Sequence, residues 1–233
     1  MLFHKSIGKG QNVVLLHGWG FSGAVFDNLV AKNKNYYRFT IIDLPGHGKS
    51  KIQIDHTLWA DEIINLIPRN SLLIGWSLGG VIGIKIATKI NLKNLIIVAS
   101  TPKFIKSIDW EFGIDSETFN NFSKSLIEYP NETLRRFAKL QTSSKRQYSQ
   151  LLTTINNNPP SRNGMHDGLK ILKTYDLRKE ICSLKIKPTV YLGKADKLIP
   201  IEIKSWYEKN NIKVKILDGG HMPFLTEEFK INS

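Results

Sequence analysis

Ser71-Leu-Leu-Ile-Gly-Trp-Ser-Leu-Gly-Gly80 is the stretch on which the fold turns. Leu72, Leu73 and Ile74 form a short apolar run, Gly75-Trp-Ser-Leu-Gly79 follows at once, and residues 81–87 are almost unbroken apolar sequence. A G-x-S-x-G pentapeptide between a buried strand and a buried helix is the pattern of a nucleophile elbow, a turn so sharp that the serine backbone is strained. Small residues are needed two before and two after the serine, because side chains there would collide with the adjoining strand and helix. Such a turn lifts the Ser77 hydroxyl clear of the sheet at a helix N-terminus, where free amides and the dipole favour negative charge. A serine in an ordinary tight turn is the plain alternative, so the partners of Ser77 decide.

Outward from the elbow, the chain alternates short apolar runs with helical patterns. Residues 13–16 read as a buried strand entering His17-Gly-Trp-Gly20, and residues 39–42 as another, stopped by Asp43-Leu-Pro-Gly-His-Gly48. Ser22 is placed to cap a helix presenting Phe26, Leu29 and Val30, and Thr57 opens one with Trp59, Ile63, Leu66 and Ile67 at helical spacing. Residues 95–99, 189–192 and 214–217 are further strands, with a helix near residues 202–209. Continuously apolar strands alternating with helices predict an α/β fold, with a mostly parallel sheet covered on both faces. The rhythm breaks between Pro102 and Leu184, where amphipathic segments such as residues 131–140 and 168–173 stand instead. The expected organisation is a core of residues 1–102 and 185–233, with a helical lid inserted at residues 103–184.

A serine hydroxyl needs a base. Of six histidines, His4 lies near a terminus expected to fray, and His17 and His47 sit in the two glycine loops. His56 precedes a helix and His166 falls in the insertion. His221, in Asp218-Gly-Gly-His-Met-Pro223, comes just beyond the last strand and late in the chain, as the order serine, acid, histidine requires. Loops after parallel strands share one edge, which makes His221 the expected base. Its orienting carboxylate is expected from Asp196, directly after a strand. Asp218 is a rival, but a residue so close to His221 needs an unusual turn to reach its far nitrogen, and Asp176 falls before the returning strand. Oxyanion donors are expected from the amides of Leu78 and Trp19, with His17 bracing the loop.

The 233 residues fit one domain or one domain with an insertion. One cysteine, Cys182, excludes an internal disulfide framework, and no zinc-spaced cluster is present. No signal-type apolar segment or membrane-length run is read, so a soluble, cytoplasmic protein is expected. The net charge of +13, with pI near 9.7, favours anionic partners. No aromatic–basic or zinc-finger motif accompanies that charge, so nucleic acid is not the expected partner.

Together these residues resemble the α/β-hydrolase superfamily, on His17-Gly-Trp-Gly20, Asp43-Leu-Pro-Gly-His-Gly-Lys-Ser50, the Ser77 elbow, Gly193-Lys-Ala-Asp196 and Gly220-His221. A closer resemblance is to the pimeloyl-[acyl-carrier-protein] methyl ester esterase family of biotin synthesis. It rests on Gly75-Trp-Ser-Leu-Gly-Gly80, Val98-Ala-Ser-Thr-Pro102, Arg136-Phe-Ala-Lys-Leu-Gln-Thr142 and Gly168-Leu-Lys-Ile-Leu-Lys-Thr-Tyr-Asp-Leu-Arg178. This resemblance implies Ser77 as nucleophile, Asp196 as orienter and His221 as base, with Trp19 and Leu78 lining the substrate. It also implies that Phe137, Ala138, Lys139, Leu140 and Gln141 contribute to the acyl pocket, with no metal or organic cofactor. The implied partner is an acyl carrier protein. Within the insertion, acidic residues from Asp109 to Glu132 precede basic ones from Arg135 to Lys173, with only Asp167 between. A basic lid face would steer an acidic carrier, and Arg135, Arg136 and Arg146 are the expected contacts of a monomer. A general short-chain carboxylesterase, a C–C-bond hydrolase and a hydrolase-fold binding protein remain open on the sequence.

Overall fold

Leu72, Leu73 and Ile74 are buried at the centre of a sheet, as a continuous apolar run requires. In the computed structural model, which describes residues 1–231, that sheet has seven strands. They are β1 (His4–Gly8), β2 (Gln11–Leu16), β3 (Tyr37–Ile42), β4 (Leu72–Trp76), β5 (Asn94–Val98), β6 (Thr189–Gly193) and β7 (Lys213–Leu217), in the order β1-β3-β2-β4-β5-β6-β7. Every pairing is parallel except β1 with β3. All of β4 and β6 is buried, so both faces of the centre are covered. The edge strands β1 and β7 are half exposed. His4, expected at a frayed end, instead sits in β1 opposite Ile42.

The connecting helices are α1 (Asp27–Asn33), α2 (Trp59–Ile64) and α3 (Leu78–Ala87). Ser22 precedes a short 3-10 turn and its side chain makes no capping bond; α1 begins only at Asp27. The turn before α2 is capped by Asp55, whose carboxylate accepts the Thr57 N–H.

Between β5 and β6 lie α4 (Ser116–Glu128), α5 (Pro130–Leu140), α6 (Lys145–Asn157), α7 (Arg162–Thr174) and α8 (Arg178–Ser183). Their caps are local: Asp115 holds the first amides of α4, Ser144 those of α6 and Ser161 those of α7. The two connectors to this helical unit are joined. Lys103 bridges Asp176, the Leu177 amide donates to the Pro102 carbonyl at 2.9 Å, and Arg178 grips both Asp176 and Asp109. α9 (Ile203–Lys209) then leads to β7. Loops after the carboxyl ends of β2, β3, β4, β6 and β7 therefore share one edge of the sheet, beneath the helical unit. Among the described residues no helix is long and apolar enough to cross a membrane.

Candidate active site

Ser77 joins β4 to α3 with φ 54° and ψ −116°, a conformation that costs a non-glycine residue strain. The strain is held from several sides. The Ser77 amide donates to the Val98 carbonyl at 2.9 Å, and the Ser100 hydroxyl donates to the Ser77 carbonyl at 2.7 Å. A β-carbon on Gly79 would stand 2.2 Å from the Leu16 oxygen, and one on Gly75 would stand 2.3 Å from the Gly79 oxygen. Both positions must be glycine for β2, β4 and α3 to approach. Leu78 is the first residue of α3, where the amides have no partner in the preceding turn.

His221 lies in the loop after β7 and its side chain is fully buried. Its Nδ1 is 2.8 and 3.0 Å from the two carboxylate oxygens of Asp196, whose side chain is 1% exposed. One of those oxygens also accepts the Leu198 and Ile199 amides, which fixes the carboxylate in the loop after β6. With the proton on Nδ1 facing Asp196, Nε2 keeps its lone pair, as a general base must. Nε2 is buried and makes no hydrogen bond, so Ser77 and His221 share the edge without a bond between them. Such contacts tighten when substrate binds. The rival carboxylates are elsewhere: Asp218 is exposed near Lys194, and Asp176 is engaged by Arg178 and Lys103. Arg178 and Lys103 hold the Asp176 carboxyl down at about 2.

The His17-Gly-Trp-Gly20 loop lies against the elbow; a β-carbon on Gly18 would be 3.3 Å from the Ser77 β-carbon. His17 accepts the Leu44 amide at Nε2 (2.9 Å) and donates from Nδ1 to the Gly18 carbonyl (2.8 Å), bracing the loop after β2 against that after β3. Burial holds its pKa below the ordinary histidine value, with Asp43 opposing. Trp19 is buried; its indole N–H donates to the Met165 carbonyl of α7 at 2.7 Å, and its ring meets the edges of Phe122 and Phe137.

Ser77 opens into a cavity of about 140 Å³ walled by Trp19, Phe104, Ile114, Phe119, Phe122, Phe137, Leu140, Leu169, Leu172 and Leu198, with Thr118. This chamber fits a hydrocarbon chain ending at the serine. Of the five lid residues expected around the acyl chain, Phe137 and Leu140 line it. Ala138 is buried and Lys139 exposed, and neither is in the wall. Gln141 is also outside the wall: its carbonyl accepts the His221 amide at 3.0 Å. Arg135, Arg136 and Arg146 are exposed and away from the cavity. Arg136 lies 3.8 Å from Glu132, and Arg146 lines a separate surface groove with Lys32 and Lys230.

Three supporting contacts were not read from the sequence. Trp76 donates its indole N–H to the His221 carbonyl at 2.7 Å, Ser100 holds the elbow, and Gln141 holds the His221 amide. All three residues lie in motifs already quoted, Trp76 within the elbow, Ser100 within Val98-Ala-Ser-Thr-Pro102 and Gln141 within Arg136-Phe-Ala-Lys-Leu-Gln-Thr142.

A serine on a strained strand-to-helix turn, facing the loop of an aspartate-bound histidine on a mostly parallel sheet, defines a class. The chain belongs to the alpha/beta hydrolase family, whose model matches residues 13–229. Within that family it is similar to the pimeloyl-[acyl-carrier protein] methyl ester esterase of Pseudoalteromonas atlantica, at 34% identity over 98% of this chain and 95% of the relative. It is also similar to the protein of that name from Legionella pneumophila strain Paris, at 34% identity over 94% of this chain and 91% of the relative. An esterase from Exiguobacterium antarcticum shares the fold with a TM-score of 0.88 at 23% identity, covering 96% of this chain and 90% of that one.

Proposed function

We propose that the chain is a serine carboxylesterase that hydrolyses the methyl ester of pimeloyl-acyl carrier protein, releasing methanol and the free carboxylate for biotin synthesis. The observation that carries this reading is the apolar chamber ending at Ser77 in a chain so similar to esterases of that name. The acyl chain lies among Trp19, Phe122, Phe137 and Leu140 and brings its distal ester to Ser77. His221, oriented by Asp196, takes the hydroxyl proton as Ser77 Oγ attacks the ester carbon. The oxyanion is met by the amides of Leu78 and Trp19, where the α3 N-terminus favours negative charge. His221 returns the proton to the departing methoxide, which leaves as methanol. Water, deprotonated by the same imidazole, then attacks the acyl-enzyme and restores Ser77. The residues named need no metal or organic cofactor for these steps. The carrier stays outside, against the basic lid face of Arg135, Arg136 and Arg146, and the enzyme acts as a cytoplasmic monomer.

Complementation tests the pathway assignment. The wild-type chain should restore growth without biotin to a bacterial strain lacking this esterase, and Ser77→Ala should not. Rescue by both would contradict the nucleophile, and rescue by neither, with both proteins expressed, would contradict the substrate.

A further inference from the structure

The His221 peptide is gripped on both sides. Its carbonyl accepts the Trp76 indole at 2.7 Å, from the residue before Ser77. Its amide donates to the Gln141 carbonyl at 3.0 Å, from the C-terminal end of lid helix α5. The approach is close on both residues of that loop, since a β-carbon on Gly220 would stand 2.9 Å from the same Gln141 oxygen.

The Gln141 side chain explains why that carbonyl faces the loop. Its backbone amide leaves the regular helical pattern and donates to Ala138 at 3.3 Å. The Phe137 carbonyl, which that amide would meet in a continuing α-helix, instead accepts the Gln141 side-chain Nε2 at 2.9 Å. The side chain thus caps the last turn and fixes the orientation of the 141 peptide. Gln141 is fully buried, and its Oε1 has no hydrogen-bond partner. A buried unmet acceptor is unfavourable; an apolar residue of similar length would remove it but would leave the Phe137 carbonyl without the side-chain donor in exchange.

We infer that Gln141 is a positioning residue for the base: it links the acyl-chain wall at Phe137 to the His221 amide through one turn of the lid. This rests on the reading of His221 as general base. Phe137 lines the chamber, its carbonyl is held by the Gln141 side chain, and the Gln141 carbonyl holds His221. The lid therefore sets the place of the imidazole, and packing of the acyl chain against Phe137 is felt at the base.

The test uses the full chain with p-nitrophenyl butyrate, which needs the base but no carrier, beside the carrier-linked methyl ester. Gln141→Met removes the amide and the unmet acceptor together while keeping the length. The expected result is a melting temperature close to wild type, because the lost unmet acceptor offsets the lost bond to Phe137, with kcat lowered about 10- to 100-fold on both substrates. KM should stay within about threefold, because the interaction matters in the transition state. A KM rise confined to the carrier-linked substrate would overturn the inference and leave Gln141 a simple acyl contact. Gln141→Glu gives a second readout. Protonated, its carboxyl donates to Phe137 as the amide does; ionised, it cannot. Its kcat relative to wild type should fall as pH rises through the range where buried carboxyls ionise, about pH 5–9; a flat ratio contradicts the inference. Full activity of Gln141→Met beside an inactive His221→Ala overturns the inference alone. Full activity of His221→Ala overturns the reading of the site as well.

Discussion

His17 and His47 face one another with ring centroids 5.6 Å apart, and both are completely buried. Each holds a loop that shapes the active edge: His17 the loop after β2, His47 the turn after β3 through its Nδ1 and the Pro45 carbonyl. The His47 Nε2 has no partner, and burial, with His17 adding repulsion, pushes its pKa down to about 3. The unfolded chain binds a proton at His47 near pH 6.5, whereas the folded chain resists protonation there until about pH 3. Between about pH 3 and 6.5 the unfolded state therefore holds more protons. Folding stability is intact above that window and declines as pH falls through it, by about 1.4 kcal/mol per pH unit for His47, with His17 acting in the same direction. Urea unfolding of His47→Gln at pH 4.5, 5.5 and 6.5 should show that slope reduced by about one histidine's share. An unchanged slope would mean that His47 does not carry the acid sensitivity. At the same scale, Asp196 is distinguished from its rivals by geometry: it reaches Nδ1, whereas Asp218 stays exposed and Asp176 belongs to the connector clamp.

The lid is seated on the core by helix α7. Met165 receives the Trp19 indole, and a β-carbon on Gly168 would come within 2.7 Å of the Trp19 ring. The cavity roof and the loop after β2 are thus built against each other. Helix α5 has two duties on two faces. Phe137 and Leu140 wall the chamber, while Arg135 and Arg136 point to solvent and continue the basic character of α6 at Arg146. Exposed cations add little to folding but raise the encounter rate of an acidic partner. Reversal of Arg136 and Arg146 to glutamate should therefore raise KM for the carrier-linked ester by about tenfold or more, leave p-nitrophenyl butyrate turnover unchanged, and shift the melting temperature little. Equal losses on both substrates would contradict a docking role. Steady-state kinetics at low ionic strength, where the attraction is least screened, gives the sharpest separation.

At the scale of the whole molecule, the βα rhythm was legible because central parallel strands must be apolar on both faces. Residues 13–16, 72–74 and 95–98 announce themselves for that reason. β1 escaped because an edge strand alternates exposed and half-buried positions, and His4-Lys-Ser-Ile-Gly8 carries one large apolar residue. Ser77, Asp196 and His221 could be proposed from their places after strands, since the fold brings those loops to one edge. The bonds that Trp76 and Gln141 make to His221 could not be read in the same way. Gln141 acts on His221 through a backbone carbonyl, which every residue possesses, and only the packing of the lid onto the β7 loop gives it meaning. The net charge of +13 favours anionic partners without saying where they bind; the exposed arginines of α5 and α6 are the place proposed for the carrier. The central claim is that Ser77, served by His221 and Asp196, cleaves a carrier-bound methyl ester. The direct measurement is methanol release from purified pimeloyl-acyl carrier protein methyl ester, with the free carboxylate followed by mass spectrometry of the carrier. Stoichiometric methanol and a carrier lighter by one methylene are expected with the wild-type chain, and neither with Ser77→Ala. An unchanged carrier mass with wild-type protein, or equal turnover by Ser77→Ala, would contradict it.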